Sequence, residues 1–335
     1  MLPLIKVQTD IFIYVFFQVV RKKEEMADIL LGLKEFSITF FFILYYWIQA
    51  IILAFIPSSW RAKDVAGETV LVTGAGSGIG RLIALRFARL GCRLVLWDVN
   101  DKGNEETAKQ IKALGAYVKT YKIDLSNRDN IYSVAAKTKE EAGDIDILVN
   151  NAGIVTGKKF LECSDNMIQK TFEVNTLAHF WTCKAFLPGM MERNHGHIVT
   201  IASSAGYLGV NGLSDYCASK FAAVGFDESM RFELEMMGKE VKTTVICPFY
   251  INTGMFDGAK TRWPFILPIL EPEDTVNKIV DAVLCNQHIV MLPKSLYFFM
   301  ALKGVLPCKV LSCVCYYFGV SNVMDNFRGK STKTD

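Results

Sequence analysis

A doubly wound α/β domain on a parallel sheet of seven strands is the fold this sequence predicts, with an apolar segment attached at each end. Three observations point there. Short β-branched runs alternate with helical patterns from Thr69 onward, the first run ends in a glycine-rich turn, and 335 residues exceed what one such unit needs.

The first strand is Thr69-Val70-Leu71-Val72-Thr73, followed by Gly74-Ala75-Gly76-Ser77-Gly78-Ile79-Gly80 and a helical pattern running to about Leu90. Glycines at a strand-to-helix turn let the backbone approach a pyrophosphate, whose charge is met by free amides at the helix N-terminus. Gly74, Gly78 and Gly80 follow the spacing Gly-x-x-x-Gly-x-Gly rather than the Gly-x-Gly-x-x-Gly of many dinucleotide folds. Alone, the run also fits an ordinary glycine turn.

The second strand, Arg93 to Trp97, ends at Asp98. A carboxylate there accepts a hydrogen bond from the adenosine ribose 2′-hydroxyl and repels a 2′-phosphate. Val99 follows it, and Ser77 rather than a basic residue occupies the glycine loop, so the cofactor read from these positions is NAD and not NADP. A solvated carboxylate ending a strand is the plainer alternative. Later strands are expected at about 117–122, 145–149, 196–202, 241–247 and 288–292, with no internal repeat. The active site then lies above their carboxyl ends.

Tyr216 and Lys220, one helical turn apart, share a helix face, where an ammonium can lower the phenol's pKa toward working pH. Chance alone supplies such a pair in many chains. Downstream of a nucleotide loop, it reads as the proton donor and acceptor of a redox enzyme.

At the N-terminal end, Phe36 to Ile56 is an uncharged run of about 21 residues, enough to cross a bilayer as a helix. Tyr45, Tyr46 and Trp47 sit mid-run, so an interfacial helix or a hairpin is also open, with the shorter apolar stretch Ile11 to Val20 as its other arm. A cleaved signal peptide fits worse, because no small-residue cleavage site follows before Pro57 and Trp60. Arg21, Lys22, Lys23 and Lys34 precede the run and Arg61 and Lys63 follow it, which leaves orientation undecided.

Two other apolar segments stand out. Gly254 to Leu270 carries Met255, Phe256, Trp263, Phe265, Ile266 and Leu267, which fits a lid over a greasy substrate or a docking face for membrane or a second subunit. Leu296 to Val320 is apolar and interrupted by Lys303, Pro307 and Lys309. It is expected to lie on the membrane, to cover the substrate entrance, or to meet a partner copy.

The nine cysteines are scattered without Cys-x-x-Cys and histidines do not cluster, so no metal site and no disulfide framework is indicated. The catalytic region is therefore expected to face reducing cytosol. Cys217, beside Tyr216, reads as a packing residue. A net charge of +3 gives no case for nucleic-acid binding.

With these residues assembled, the chain resembles the short-chain dehydrogenase/reductase family from about Gly67 to Pro293. Thr73 to Gly80 is similar to the family's glycine motif, Asp124 and Leu125 to its adenine-contacting pair, and Asn150-Asn151-Ala152-Gly153 to its Asn-Asn-Ala-Gly element. Asn175, Ser203, Tyr216 and Lys220 match its catalytic tetrad, with Ser204 as the competing serine. The resemblance implies a single Rossmann-like domain and cofactor contacts from Thr73, Gly74, Ser77, Gly78, Ile79, Gly80, Asp98, Asp124, Leu125, Asn151, Ala152, Gly153, Tyr216, Lys220, Pro248, Ile251 and Thr253. It also implies that Tyr216 exchanges the proton and that Lys220 holds the nicotinamide ribose. Ser203 and Tyr216 would hold the substrate oxygen, and Asn175 would carry a relay water. The family's Pro-Gly is Pro248-Phe249 here, a departure that bears on substrate shape.

The likeness narrows at Asn151 to Phe160 and Asp215 to Phe221 to the family's membrane-bound epidermal retinol dehydrogenase branch. That implies oxidation of all-trans-retinol to retinaldehyde with NAD at the endoplasmic reticulum or lipid-droplet surface. The neighbouring 17-beta-hydroxysteroid dehydrogenase branch, acting on steroid or other lipid alcohols, is the rival, and a low-turnover membrane scaffold is the alternative of another class. A homodimer through the helices bearing Asn175 and Tyr216 is a further implication of the family. The organisation expected is an N-terminal segment 1–35, an anchor helix 36–56, a catalytic domain 67–293, and an apolar extension with a polar tail at 294–335. Met26 opens a segment closer to where the resembling proteins start, so residues before it are untranslated if it initiates.

Overall fold

The computed structural model describes residues 2–324 and 327–328, with side chains from Ile29 onward except that of Ser321. They form two compact units, Met1–Arg61 and Ala62–Asp335.

The first unit is a single long helix, α1 (Leu2–Phe55), followed by the one-turn α2 (Ser58–Arg61). Its stretch Ile29–Phe55 is long and apolar enough to cross a membrane, and none of it is buried. The apolar helix therefore begins upstream of the expected Phe36, because Lys34 and Glu35 are good helix formers that do not interrupt it. The hairpin alternative does not form. Arg21 to Glu25 join Ile11–Val20 to the anchor without a turn signal, and the helix runs through all of them. Pro57 ends it, since the residue before a proline is pushed out of helical geometry.

The second unit alternates strand and helix: β1 (Thr69–Thr73), α3 (Gly78–Arg89), β2 (Arg93–Asp98), α4 (Asp101–Ala113), β3 (Val118–Lys122), α5 (Arg128–Ala142) and β4 (Ile147–Asn150). After it come α6 (Asp165–Phe172), a π turn (Glu173–Leu177), α7 (Ala178–Glu192), β5 (His197–Ile201), α8 (Ser214–Met236) and β6 (Lys242–Pro248). The unit closes with α9 (Pro272–Leu284), β7 (Ile289–Leu292), α10 (Ser295–Val305) and α11 (Cys308–Tyr317).

The seven strands are all parallel, in the order β3-β2-β1-β4-β5-β6-β7. Each runs within two residues of its expected position, because a strand buried on both faces reads as a β-branched run bounded by polar turns. Alternate side chains feed two cores. Val70, Val72, Leu94 and Leu96 meet Ile83, Phe87, Ile111 and Val280 of α3, α4 and α9. Leu71, Val95, Trp97 and Leu148 meet Ile131, Phe186, Met190 and Met230 of α5, α7 and α8. Each such fully buried side chain contributes about 1.5–3 kcal/mol relative to exposure.

Chain order reverses between β1 and β4, which opens a crevice at their carboxyl ends. A third cluster lies beyond β6 and β7, where Leu296, Phe299, Met300 and Phe318 of the C-terminal extension pack on Leu267, Cys247 and Met291. Residues 1, 325–326 and 329–335, the last of which belong to the polar tail expected within 294–335, lie outside the described residues.

Candidate active site

The glycine loop between β1 and α3 is shaped by close approach. Gly74 has φ +67° and Gly78 has φ +56°, and a Cβ at Gly80 would overlap the Gly74 carbonyl. A Cβ at Gly74 would lie 2.9 Å from the Ala152 Cα, so loop and β4 turn leave no room for a side chain. Asn151 ties these turns together: its Nδ2 donates to the Thr73 carbonyl at 2.8 Å and its main-chain N–H to Thr73 Oγ1 at 2.9 Å. The Ala152 N–H donates to the same hydroxyl at 3.1 Å.

Asp98 ends β2 beside this loop, accepting from the Gly76 N–H at 2.7 Å and the Asn100 N–H at 2.8 Å. Ser77 is the N-cap of α3 and Ile79 lies in its first turn, where the helix N-terminus and backbone dipole suit a phosphate. Asp124 and Leu125 follow β3, with Asp124 accepting from both the N–H and the hydroxyl of Ser126. On the far side, Thr253 Cβ lies 3.7 Å from where a Gly78 Cβ would be, and Ile251 bridges Leu270. Thus the glycine loop, Asn151 to Gly153 and Thr253 converge on one crevice, and its glycine backbone with the Asp98 carboxylate beside it fits a dinucleotide.

Asn175 sits inside the π turn. Widening the helix there carries its amide to the β4 loop, where Oδ1 accepts from the Ile154 N–H at 2.8 Å and Nδ2 donates to the Ile154 carbonyl at 2.9 Å. Its second amide hydrogen goes to Ser219 Oγ at 3.1 Å. The side-chain amide of Asn175 is therefore a brace between the β4 loop and α8, with one Oδ1 lone pair left over.

Ser203 follows β5 and caps a short 3₁₀ turn, its Oγ accepting from the Ala205 N–H at 3.1 Å. It hydrogen-bonds the Tyr216 hydroxyl. Pro248 closes the other side, its carbonyl 3.5 Å from Ser203 Oγ. Lys220, one turn along α8 from Tyr216, places its Nζ 5.8 Å from the centre of the tyrosine ring and donates to the Ile201 carbonyl at 2.8 Å. Gly153 lies between the two catalytic helices, its Cβ position 3.4 Å from Asn175 Oδ1 and 3.6 Å from Lys220 Nζ.

Burial dominates the electrostatics. It pushes the Lys220 ammonium down to about 8. It raises Tyr216 well above its ordinary value, against the opposing hydrogen bond from Ser203. The expected lowering of the phenol by Lys220 is thus outweighed here by desolvation, since the ammonium is itself buried and turned to the Ile201 carbonyl.

Ser203 and Tyr216 line an apolar cavity that is partly open to solvent. Phe249, Phe256 and Leu267 line one side, and Leu296, Phe299 and Val314 of α10 and α11 line the other. Phe249 in place of the family's glycine therefore puts a ring into the substrate space. The Gly254–Leu270 segment and the C-terminal extension are both cavity walls, while Phe265, Phe298 and Tyr316 leave their rings exposed outside. Ser204 also reaches this wall. Cys217 is buried, accepting from the Val210 N–H at 3.4 Å, as a packing residue does.

Several supporting residues had no motif to announce them. Arg81 of α3 holds the carbonyls of Gly76 and Gly103, and Thr107 of α4 the Ala75 carbonyl at 2.9 Å, fixing the glycine loop between the two helices. Asp215, next to Tyr216, accepts from Thr156 at 2.6 Å and Thr171 at 3.1 Å, clamping α8 to the β4 loop and α6. Adjacency to Tyr216 was the one available signal for Asp215.

A family model for the short chain dehydrogenase matches residues 68–262. Epidermal retinol dehydrogenase 2 of Homo sapiens is 54% identical over 288 residues, which cover 85% of this chain and 93% of that protein. Estradiol 17-beta-dehydrogenase 11 of Homo sapiens is 50% identical over 266 residues, covering 79% and 87%. A crystal structure of a short chain dehydrogenase/reductase from Burkholderia phymatum in complex with NAD matches with a TM-score of 0.66 at 28% identity, over 72% of this chain and 94% of that one. Motif order, sheet topology and relatives converge: the chain belongs to the short-chain dehydrogenase/reductase family, as an alcohol dehydrogenase that acts on CH–OH donors with a nicotinamide cofactor.

Proposed function

We propose that the protein oxidises all-trans-retinol to all-trans-retinaldehyde with NAD, with Tyr216 as general base. The observation that carries this reading is the apolar cavity that Ser203 and Tyr216 line together with Phe249, Phe256, Leu267 and the C-terminal helices. A long apolar alcohol fills such a space and leaves only its hydroxyl to be hydrogen-bonded. The 54% identity to epidermal retinol dehydrogenase 2 favours a retinoid as that alcohol.

When bound, the nicotinamide accepts the hydride from the carbinol carbon. Tyr216 Oη takes the alcohol proton, and Ser203 Oγ holds the substrate oxygen. Lys220, positive and buried below the tyrosine, favours the phenolate and is placed to hold the nicotinamide ribose. Asp98 selects NAD by receiving the ribose 2′-hydroxyl, and Asn151, Asp124 and Thr253 complete the cofactor crevice.

A second reading, a 17-beta-hydroxysteroid as substrate, is supported by the 50% identity to estradiol 17-beta-dehydrogenase 11. The reading also places the protein at the endoplasmic reticulum membrane or lipid droplet through α1, with the catalytic domain of residues 67–293 on the cytosolic side. Two copies are proposed to pair through α7 and α8, a pairing supported by the exposed Phe232 and Met236 of α8.

Membranes carrying the full chain are assayed with NAD and either all-trans-retinol or the steroid, beside Tyr216→Phe membranes. Retinaldehyde that disappears with the substitution, while NAD still binds, supports the reading. Steroid turnover alone transfers it to the second substrate, and turnover retained by Tyr216→Phe refutes the base.

A further inference from the structure

The chain does not end at the cavity wall. After α11 and the left-handed Gly319, the segment returns toward the catalytic tyrosine. Val323 and Met324 are buried in one cluster with Tyr216, Leu213 and Tyr250. Phe327 then seats in a socket at Gly157, the position on the β4 loop where any Cβ would overlap its ring. The Arg328 N–H donates to the Asp257 carbonyl at 2.9 Å, tying the segment to the residue that follows Phe256.

The rings form a relay. Phe327 lies 6.3 Å from Phe256, and Phe256 meets both Tyr216 at 5.7 Å and Tyr250 at 4.9 Å edge-on. Phe256 lines the substrate cavity, while Phe327 stands behind it. A ring that lost its backing would swing into the space vacated, since a gap of even one methylene is felt in a packed cluster.

We propose that Phe327 is a positioning residue for substrate selection: it pins Phe256 beside Tyr216, so that the reactive end of the cavity fits a bulky apolar alcohol and excludes small ones. This rests on the lipid-alcohol reading above. Phe327 touches no reacting atom in this scheme and acts through Phe256. Gly157 is glycine because the socket requires it, and its φ of +67° is one that glycine adopts freely.

The test uses the full chain in phosphatidylcholine nanodiscs with NAD, as wild type, Phe327→Ala and Phe327→Leu. For all-trans-retinol, Phe327→Ala is expected to raise KM about tenfold with kcat within about twofold, as loss of uniform binding does. Its kcat/KM for cyclohexanol stays level or rises, and Phe327→Leu restores most of the retinol KM. In hydrogen exchange, the Arg328 amide is slow in wild type and fast in Phe327→Ala. An unchanged retinol KM, an equal loss for both alcohols, or an Arg328 amide that exchanges fast in wild type would each overturn the proposal. If wild type oxidises neither retinol nor the steroid, the substrate reading falls instead, and the Arg328 exchange alone decides whether the segment is seated.

Discussion

Asn175 and Ser219 are joined across 3.1 Å, amide to hydroxyl, and Ser219 in turn donates to the Tyr216 carbonyl at 2.7 Å. Through this pair the π turn, the β4 loop and the catalytic stretch of α8 become one rigid body. Tyr216 and Lys220 are positioned by their neighbours as much as by their own helix.

Breaking that link has a defined consequence. Asn175→Ala leaves the Ile154 N–H and carbonyl without their partner, a loss of about 1–3 kcal/mol for such buried groups. A lowered melting temperature is expected together with a fall in kcat, whereas Ser219→Ala, which removes the bonds to Asn175 and the Tyr216 carbonyl but leaves both Ile154 groups paired, gives the smaller change in both.

On the proposed mechanism, Lys220 is expected to set the pH dependence of oxidation. Because burial raises Tyr216, the phenolate grows with pH, and the positive charge of Lys220 favours it until the ammonium itself titrates near about 8. Lys220→Met is expected to move the rising limb of the kcat profile to higher pH. At pH 7 the rate should drop by about a hundredfold or more, the usual weight of acid–base catalysis. A profile that keeps its position excludes this role.

On the proposed reading, Asp98 is expected to govern the choice of cofactor. Asp98→Ala removes the carboxylate that repels a 2′-phosphate, so kcat/KM with NADP should gain about tenfold relative to NAD. Both cofactors lose some affinity, since the Gly76 and Asn100 amides lose their acceptor. Selectivity that does not change locates the discrimination in another residue.

Asp227 stores a pH-dependent cost. It is buried in α8 against the Thr200 hydroxyl at 2.8 Å, and burial pushes its carboxyl up to about 6, with Glu228 adding to the rise and Arg231 opposing it. Between the ordinary carboxylate value and about 6 the folded chain holds a proton that the unfolded chain has released, so this group's contribution to stability falls as pH rises. Asp227→Asn lacks that loss. Its stability relative to wild type should rise between pH 4 and pH 7 by roughly 2–3 kcal/mol in paired thermal melts.

The anchor is testable by extraction. The full chain is expected to stay with membranes in alkaline carbonate, and a chain starting at Ala62 to be released in larger part. Retention of the shortened chain would assign membrane binding to the exposed Phe265, Phe298 and Tyr316.

The sequence by itself determined the parts whose information is local. Strands buried on both faces appear as β-branched runs, so all seven were legible to within two residues, from Thr69 to Leu292. The glycine loop, Asp98 and the Tyr216–Lys220 turn were legible because spacing alone places those groups. Folding decided what depends on distant neighbours. The π turn at Asn175 exists to reach Ile154 and Ser219, residues 21 and 44 positions away, and helical periodicity carries no trace of it. Lys220 was expected to lower the Tyr216 pKa, but desolvation, set by the packing around both, outweighs it. An apolar run such as Leu296 to Val320 states only that something must cover it. Tertiary structure turned one face of it into a cavity wall and brought Phe327 back to Gly157, because burial is decided by which surfaces meet, not by which residues are apolar.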